Sequence, residues 1–251
     1  MREQRLEEMQ DYIQKNKTVS IETLCETFSV SRNTIHRDLN LLVQRGSIKK
    51  TYGGVVAEQT VETVPFEDRT VKNIDCKRLI AQRAVELVHP GDSIYIDTGS
   101  TALCFFMALP KDYNLTIFTS NVEILAKAVK DCHDTVVFSG GSLFRKTNSV
   151  IGPDAITTLS HYNIGKAFMS ATGLSEEYGA TNSTEGEYQV KRAALKASQE
   201  VIMMVDSSKF GAVSLMTFCS LADISVIITD RKPSEKFLRC FEQNDVRLLL
   251  S

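Results

Sequence analysis

Apolar residues recur at helical spacing through the first 44 positions of the chain. Leu6, Met9, Tyr12 and Ile13 fall on one face, so residues 3–15 are predicted to form an amphipathic helix that ends at Asn16-Lys17. Val19 reads as a short extended connector. Ser20 stands where a second helix needs a cap, with Glu22 and Glu26 in or near its first turns and Ile21, Leu24, Cys25 and Phe28 as its apolar side. After a turn at Ser29-Val30, Ser31 caps a third helix that runs to about residue 44, where Arg45-Gly46 stops it. Ile35, Leu39 and Leu42 form the apolar side of this helix; Arg32, Asn33, His36, Arg37 and Asn40 occupy the rest of its surface. Two capped helices across a very short turn make a helix-turn-helix. The β-branched and aromatic residues of 47–56, with Lys49, Lys50, Tyr52 and Gly53-Gly54, predict two short strands beside it, a wing.

The pattern then changes. Residues 57–65 are polar and β-rich without helical period, and 57–73 is read as a linker between a winged helix-turn-helix at 1–56 and a second domain at 74–251. A helix at 77–88 opens that domain. Beyond it short apolar runs alternate with helical stretches. Strands are expected at 93–96, 115–118, 135–138, 166–169, 200–205, 225–228 and 246–250, and helices at 100–109, 122–130, 154–160, 186–198 and 234–240. Repeated strand-then-helix units imply an α/β fold with a mainly parallel sheet covered by helices. In such sheets ligands lie beyond the carboxyl ends of the strands. Four polar clusters fall there: Asp97-Thr98-Gly99-Ser100-Thr101, Thr119-Ser120-Asn121, Ser139-Gly140-Gly141-Ser142 with Arg145 and Lys146, and Asp206-Ser207-Ser208-Lys209. Each alone is an ordinary strand-to-helix turn. Together, with exposed N–H groups and two or three cations, they favour a phosphorylated polyol.

Composition narrows the class. Apolar content of 43% and charged content of 24% are those of a globular protein, and 251 residues are enough for two domains. No apolar run reaches the length of a bilayer span, and the start has no apolar signal region. The six cysteines are scattered, with no Cys-x-x-Cys pair, which disfavours a metal site or disulfide scaffold; no cofactor is called for and a reduced, cytoplasmic setting is expected. The net charge of −2 conceals a local basic patch: residues 32–50 hold five Lys/Arg and one acid, Asp38. Phosphate affinity comes from such patches. The helix N-terminus, with Arg32, Asn33 and Thr34, is the end that usually meets base edges. Arg37 suits a guanine or a phosphate. Asp38 would repel phosphate and is read as an internal partner that orients a base-contacting side chain.

These residues carry a resemblance. The run SIETLCETFSVSRNTIHRDLNLL, followed by IKKTYGGVV, is similar to the DeoR-type family of bacterial transcriptional regulators, with His36 where members more often carry arginine. IDTGST, TSN, SGG, GPDA and VDSSKFG extend it to the family's sensor domain, which resembles the sheet of ribose-phosphate isomerases and CoA-transferases. The resemblance implies a DNA-binding repressor of a sugar or polyol operon, released by a phosphorylated sugar and working as a homo-oligomer, dimer or tetramer, away from membranes. It implies duplex contacts from Ser20, Ser31, Arg32, Asn33, Thr34, His36, Arg37, Asn40, Lys49, Lys50 and Tyr52. For the effector it implies Asp97 on sugar hydroxyls, with Thr98, Gly99, Ser100 and Thr101 on phosphate or hydroxyls. Ser120, Asn121, Gly140, Gly141, Arg145, Glu187 and Lys209 would complete that pocket. Glu187 and Lys191, one helical turn apart, equally suit a surface ion pair. Two other readings stand beside this one. A sugar-phosphate isomerase or acyl transferase would use Asp97, Glu187 and Lys209 as base, acid and stabiliser, yet no reactive constellation accompanies them, and it has no use for a helix-turn-helix. A protein-binding winged helix is favoured only by the modest basic charge.

Overall fold

The computed structural model describes residues 2–16, 18–44, 48–51, 53–57, 65–131 and 134–251. They form two compact units, Met1–Thr60 and Val61–Ser251.

The first unit runs α1 (Arg2–Asn16), β1 (Thr18–Ser20), α2 (Ile21–Phe28), α3 (Arg32–Gln44), β2 (Ile48–Thr51) and β3 (Gly54–Ala57). Leu6, Met9 and Ile13 of α1 pack with Leu24, Ile35, Leu39, Leu42, Ile48 and Val55 in one core. Ser20 caps α2 by accepting the Thr23 N–H at 3.1 Å. Ser29, in the left-handed region at φ 51°, ends that helix. The wing hairpin β2–β3 gains a third strand, because the connector at Val19 pairs with β3 in the order β1-β3-β2. That pairing explains the two glycines. Gly53 turns the hairpin at φ +84°, and a Cβ on Gly54 would lie 2.5 Å from the Val19 carbonyl oxygen. Gly54→Ala is therefore expected to cost the unit about 1–3 kcal/mol through forced strand separation; an unchanged thermal midpoint would show that the strands yield freely.

The second unit opens with α4 (Phe66–Val71), α5 (Ile74–Val85), β4 (Ser93–Ile96), α6 (Ser100–Ala108), β5 (Thr116–Thr119), α7 (Val122–Asp131) and β6 (Thr135–Phe138). A hairpin follows, β7 (Ser142–Phe144) and β8 (Ser149–Ile151), then α8 (Pro153–Ser160), β9 (Ile164–Met169), β10 (Gly173–Ser175), β11 (Gly179–Asn182) and α9 (Glu185–Ala197). The chain closes with β12 (Ser198–Met204), β13 (Met216–Cys219), β14 (Val226–Thr229), α10 (Glu235–Gln243) and β15 (Arg247–Leu250). Seven strands form one parallel sheet, ordered β15-β14-β12-β9-β4-β5-β6. Strand alternation divides its side chains. Ile94, Ile96, Phe168, Ile202 and Met204 pack under Ile80, Ala84 and Phe105 of α5 and α6. Tyr95, Ala167, Met169, Val201 and Met203 pack under α8, α9 and α10. The chain steps outward from β4 through β5 and β6, then returns to β9 on the other side of β4. The order thus reverses between β4 and β9, and a crevice opens beyond their carboxyl ends.

Several expectations change. Part of the stretch read as linker, Phe66–Val71, is helical, and the next helix starts at Ile74 rather than 77. Residues 58–64 lie outside the described residues. The hairpin β7–β8 and the antiparallel sheet β10-β11-β13 were not anticipated, because their strands are three or four residues long and offer no apolar alternation. Among the described residues no helix is long and apolar enough to cross a membrane.

Candidate functional site

Helix α3 presents two sides. Ile35, Leu39 and Leu42 are fully buried, whereas Arg32, Asn33, His36, Arg37 and Asn40 are exposed. At 100° per residue these five form one continuous stripe of donors and acceptors. Asp38 is buried and pairs with Arg5 of α1 at 2.8 Å. It therefore ties α1 to α3. Ser31 and Thr34 spend their hydroxyls on each other, 3.0 Å apart, and Ser20 is the cap of α2. All three serve helix ends. At the wing, Lys50 Nζ donates to Asn40 Oδ1 at 2.6 Å. Arg32 is paired with Glu22 of α2. Tyr52, the 45–47 stop and the side chain of Lys49 lie outside the described residues.

The second unit carries a polar crevice at the β4/β9 reversal. Thr98, Gly99, Ser100 and Thr101 line it from the β4–α6 turn, and Ser170, Ala171 and Thr172 from the end of β9. Glu187 and Lys191 of α9, Asp206 and Lys209 beyond β12, Asn182, Ser183 and Thr147 complete the walls with Arg69, Lys72, Asn73 and Lys77. Asp97 lies behind this lining, fully buried. Its Oδ2 accepts from the Ser170 N–H at 2.9 Å, from the Ser170 hydroxyl at 2.6 Å and from Lys191 Nζ. Burial alone would raise its pKa, but the Lys191 charge and these hydrogen bonds hold it below the ordinary carboxylate range. Asp97 is thus a strut across the reversal; it stands behind the lining of the crevice, with its Oδ1 buried and without a hydrogen-bond partner. Gly99 follows from it: a Cβ there would collide with the Ser170 hydroxyl that Asp97 uses. Glu187 and Lys191 do not form the surface ion pair, since both are buried and Lys191 turns to Asp97.

Electrostatics give the crevice its sign. Five cations line it, Arg69, Lys72, Lys77, Lys191 and Lys209, against the carboxylates of Glu187 and Asp206. Asp97 cancels Lys191, which leaves four cations facing two acids. Burial lowers the Arg69, Lys77 and Lys209 pKa values, and neighbouring carboxylates resist the shift in each. Arg69 Nε and Nη2 are buried without a hydrogen-bond partner. Lys77 Nζ donates to the carbonyls of Arg69 and, at 2.6 Å, Lys72, and so fastens the end of α4. Asn73, left-handed at φ 55°, breaks the chain between α4 and α5 and donates to Asp206 at 3.1 Å. The first N–H groups of α6 have no acceptor within that helix and point toward this end of the sheet.

Of the residues expected on the effector, Thr98, Gly99, Ser100, Thr101, Glu187 and Lys209 come together here. Ser120, Asn121, Gly140, Gly141 and Arg145 do not line the crevice. Ser120 pairs with Ser139 at 2.9 Å, and Asn121 caps α7 by accepting the Glu123 N–H at 2.9 Å. Gly140 and Gly141 form the turn into β7, and Arg145 is exposed in the β7–β8 turn. They follow β5 and β6, the strands on the far side of β4 from the reversal. The cations on α4 and α5 were missed. One signal was available: Lys77 falls on the stripe of Ile80, Ala81 and Ala84, as Lys191 falls on that of Val190 and Ala194. A lysine on a buried stripe needs an internal partner.

Residues 5–61 match the family model of the DeoR-like helix-turn-helix domain, and residues 72–231 that of the DeoR C terminal sensor domain. The chain is 36% identical to the HTH-type transcriptional regulator IolR of Bacillus subtilis, over 100% of both chains. It is 26% identical to the glycerol-3-phosphate regulon repressor of Escherichia coli, over 96% of this chain and 95% of that protein. Among solved structures, ribose 5-phosphate isomerase A from Methanocaldococcus jannaschii is similar at a TM-score of 0.42 and 22% identity, covering 55% of each chain.

Proposed function

Because the chain belongs to the DeoR family of DNA-binding transcriptional regulators, and not to an enzyme family, we propose that it represses a sugar or polyol catabolism or transport operon and is released by a phosphorylated sugar held in the β4/β9 crevice. The observation that carries this reading is the buried, unpartnered guanidinium edge of Arg69 in a crevice with surplus positive charge. A phosphomonoester brings about −1.5 to −2 charges and three acceptor oxygens at pH 7, which matches a surplus of two cations. Glu187, Asp206 and Asn182 suit the hydroxyls of the same ligand. The name of the glycerol-3-phosphate regulon repressor agrees with a phosphorylated polyol.

The exposed stripe of α3 reads the duplex, with Lys50 of the wing beside it. Residues 1–56 form the DNA-binding part, and the sensor begins at Phe66 rather than residue 74, since Arg69 and Lys72 belong to its crevice. A homo-oligomer, dimer or tetramer, reads repeated half-sites in the cytoplasm. Release is a population shift: the effector binds better to the state with weaker operator affinity.

The test is a gel shift on DNA upstream of the neighbouring genes, with a thermal-shift screen of sugar phosphates beside their unphosphorylated counterparts. A phosphorylated member at about 100 times its Kd adds about 2.7 kcal/mol of stability and frees the DNA; its unphosphorylated form does neither. A chain that binds DNA but responds to no phosphorylated sugar or polyol overturns the reading.

A further inference from the structure

On the DNA-reading face two arginines stand five positions apart on α3 and are held differently. Arg37 is exposed and makes no ion pair with a described residue. Arg32, at the N-terminal end of α3, gives its Nη2 to the carboxylate of Glu22, which lies in the first turn of α2. The pair bridges two helices ten positions apart in sequence. Both side chains remain about two-thirds exposed, at 64% and 60%. An exposed pair of this kind contributes little to folding. The unit does not need it either: its apolar core and the pair of half-buried Arg5 with buried Asp38 already fix the helices. An acid on a surface that must approach phosphates also opposes binding to every sequence alike.

We propose that Glu22 is a specificity-determining positioning residue, which aims Arg32 at a base edge and keeps it from the phosphates. A guanidinium carries five N–H donors in a rigid fork, so a carboxylate on Nη2 fixes the plane and leaves other donors free. Guanine offers O6 and N7 as a matching pair of acceptors in the major groove. Arg32 sits at the helix end that approaches base edges in such modules. Glu22 taxes binding to all duplexes through repulsion, whereas the aimed Arg32 recovers affinity only where the right base is present. Arg37, which pairs with no carboxylate among the described residues, is left for the backbone. The carboxyl of Glu22 stays ionised at neutral pH: a backbone hydrogen bond first, then the Arg32 charge, hold it below its ordinary range.

The test uses the intact chain and two duplexes, one selected from a random pool by the wild-type protein and one scrambled version of the same composition. Glu22→Gln removes the charge and keeps the shape. It is expected to tighten binding to the scrambled duplex and to steepen its log K against log salt slope by up to about 0.9, one added phosphate contact. The ratio of selected to scrambled affinity falls about tenfold or more, and repeated selection with the variant shows relaxed preference at one base position. Arg32→Gln loses the same preference, and adding Glu22→Gln to it changes the ratio no further. Equal tightening on both duplexes would reduce Glu22 to a bulk charge and overturn the proposal. So would a full effect of Glu22→Gln in the Arg32→Gln background. Thermal midpoints within about 2 °C of wild type confirm that the variants fold, as an exposed pair requires.

Discussion

Lys191→Met is expected to cost the second unit about 3–5 kcal/mol, because it leaves the fully buried Asp97 carboxylate without its cation. For a unit of this size each kcal/mol moves the melting temperature by roughly 2–4 °C, so the midpoint falls by roughly 6–20 °C. Methionine fills similar space, so the loss reports the charge and not a cavity. The double change Asp97→Asn, Lys191→Met removes both charges and recovers part of the loss. The pH dependence gives an independent sign. In the wild type Asp97 titrates below the ordinary carboxylate range despite its burial. Its contribution is therefore fully present above about pH 3.9, the unfolded value, and is lost as pH falls through the lower folded value. In Lys191→Met the burial effect is no longer outweighed, and the folded carboxyl titrates above its unfolded value. That variant then gains stability as pH drops from 7 toward 5, where the wild type does not. A midpoint within 2 °C of wild type, or no change of sign, would remove Asp97–Lys191 as the strut of the crevice.

The same pair marks where sequence reading stops. The stripe of α3 is legible because Ile35, Leu39 and Leu42 keep a period that Arg32, His36 and Asn40 complement. The strands of the parallel sheet are legible because short apolar runs alternate with amphipathic helices. Asp97 reads from the sequence as a contact for sugar hydroxyls, yet its hydrogen bonds come from Lys191, 94 residues away, and from Ser170 at the end of a strand that is a neighbour only in space. Asn121 and Gly140 looked equivalent to Gly99 because each follows a strand. What separates them is strand order: β5 and β6 lie away from the reversal, and order is not written locally. Arg69 and Lys72 escaped because α4 has six residues, too few to show a helical period, and follows a polar stretch that reads as linker. Asp38 was recognised as internal from its charge alone, but that its partner would be Arg5 depends on how α1 crosses α3.

Arg69→Gln is expected to raise the effector concentration needed for half-release of operator DNA by about ten- to a hundredfold. A hydrogen bond to a charged group contributes about 1.5–3 kcal/mol, and each 1.4 kcal/mol is a factor of ten in affinity. Arg69 is the strongest place to look, since Nε and Nη2 are already desolvated and have no hydrogen-bond partner, the guanidinium resting over the Phe66 ring. The cost of burying them is met before the ligand arrives, and Glu187 and Asp97 keep the guanidinium charged. Arg69→Lys keeps a charge but loses the planar fork, and should fall between wild type and glutamine. Lys77→Met separates ligand contact from placement of α4. Lys77 spends its donors on the carbonyls of Arg69 and Lys72. Its loss should therefore lower the thermal midpoint as well as the effector response, whereas Arg69→Gln should leave the effector-free midpoint within a few degrees. The α4 segment is also the first described element after the front unit in the chain. An Arg69→Gln protein that releases DNA at the wild-type effector concentration would show that the anion sits elsewhere in the crevice, on Lys209 and the α6 N-terminus.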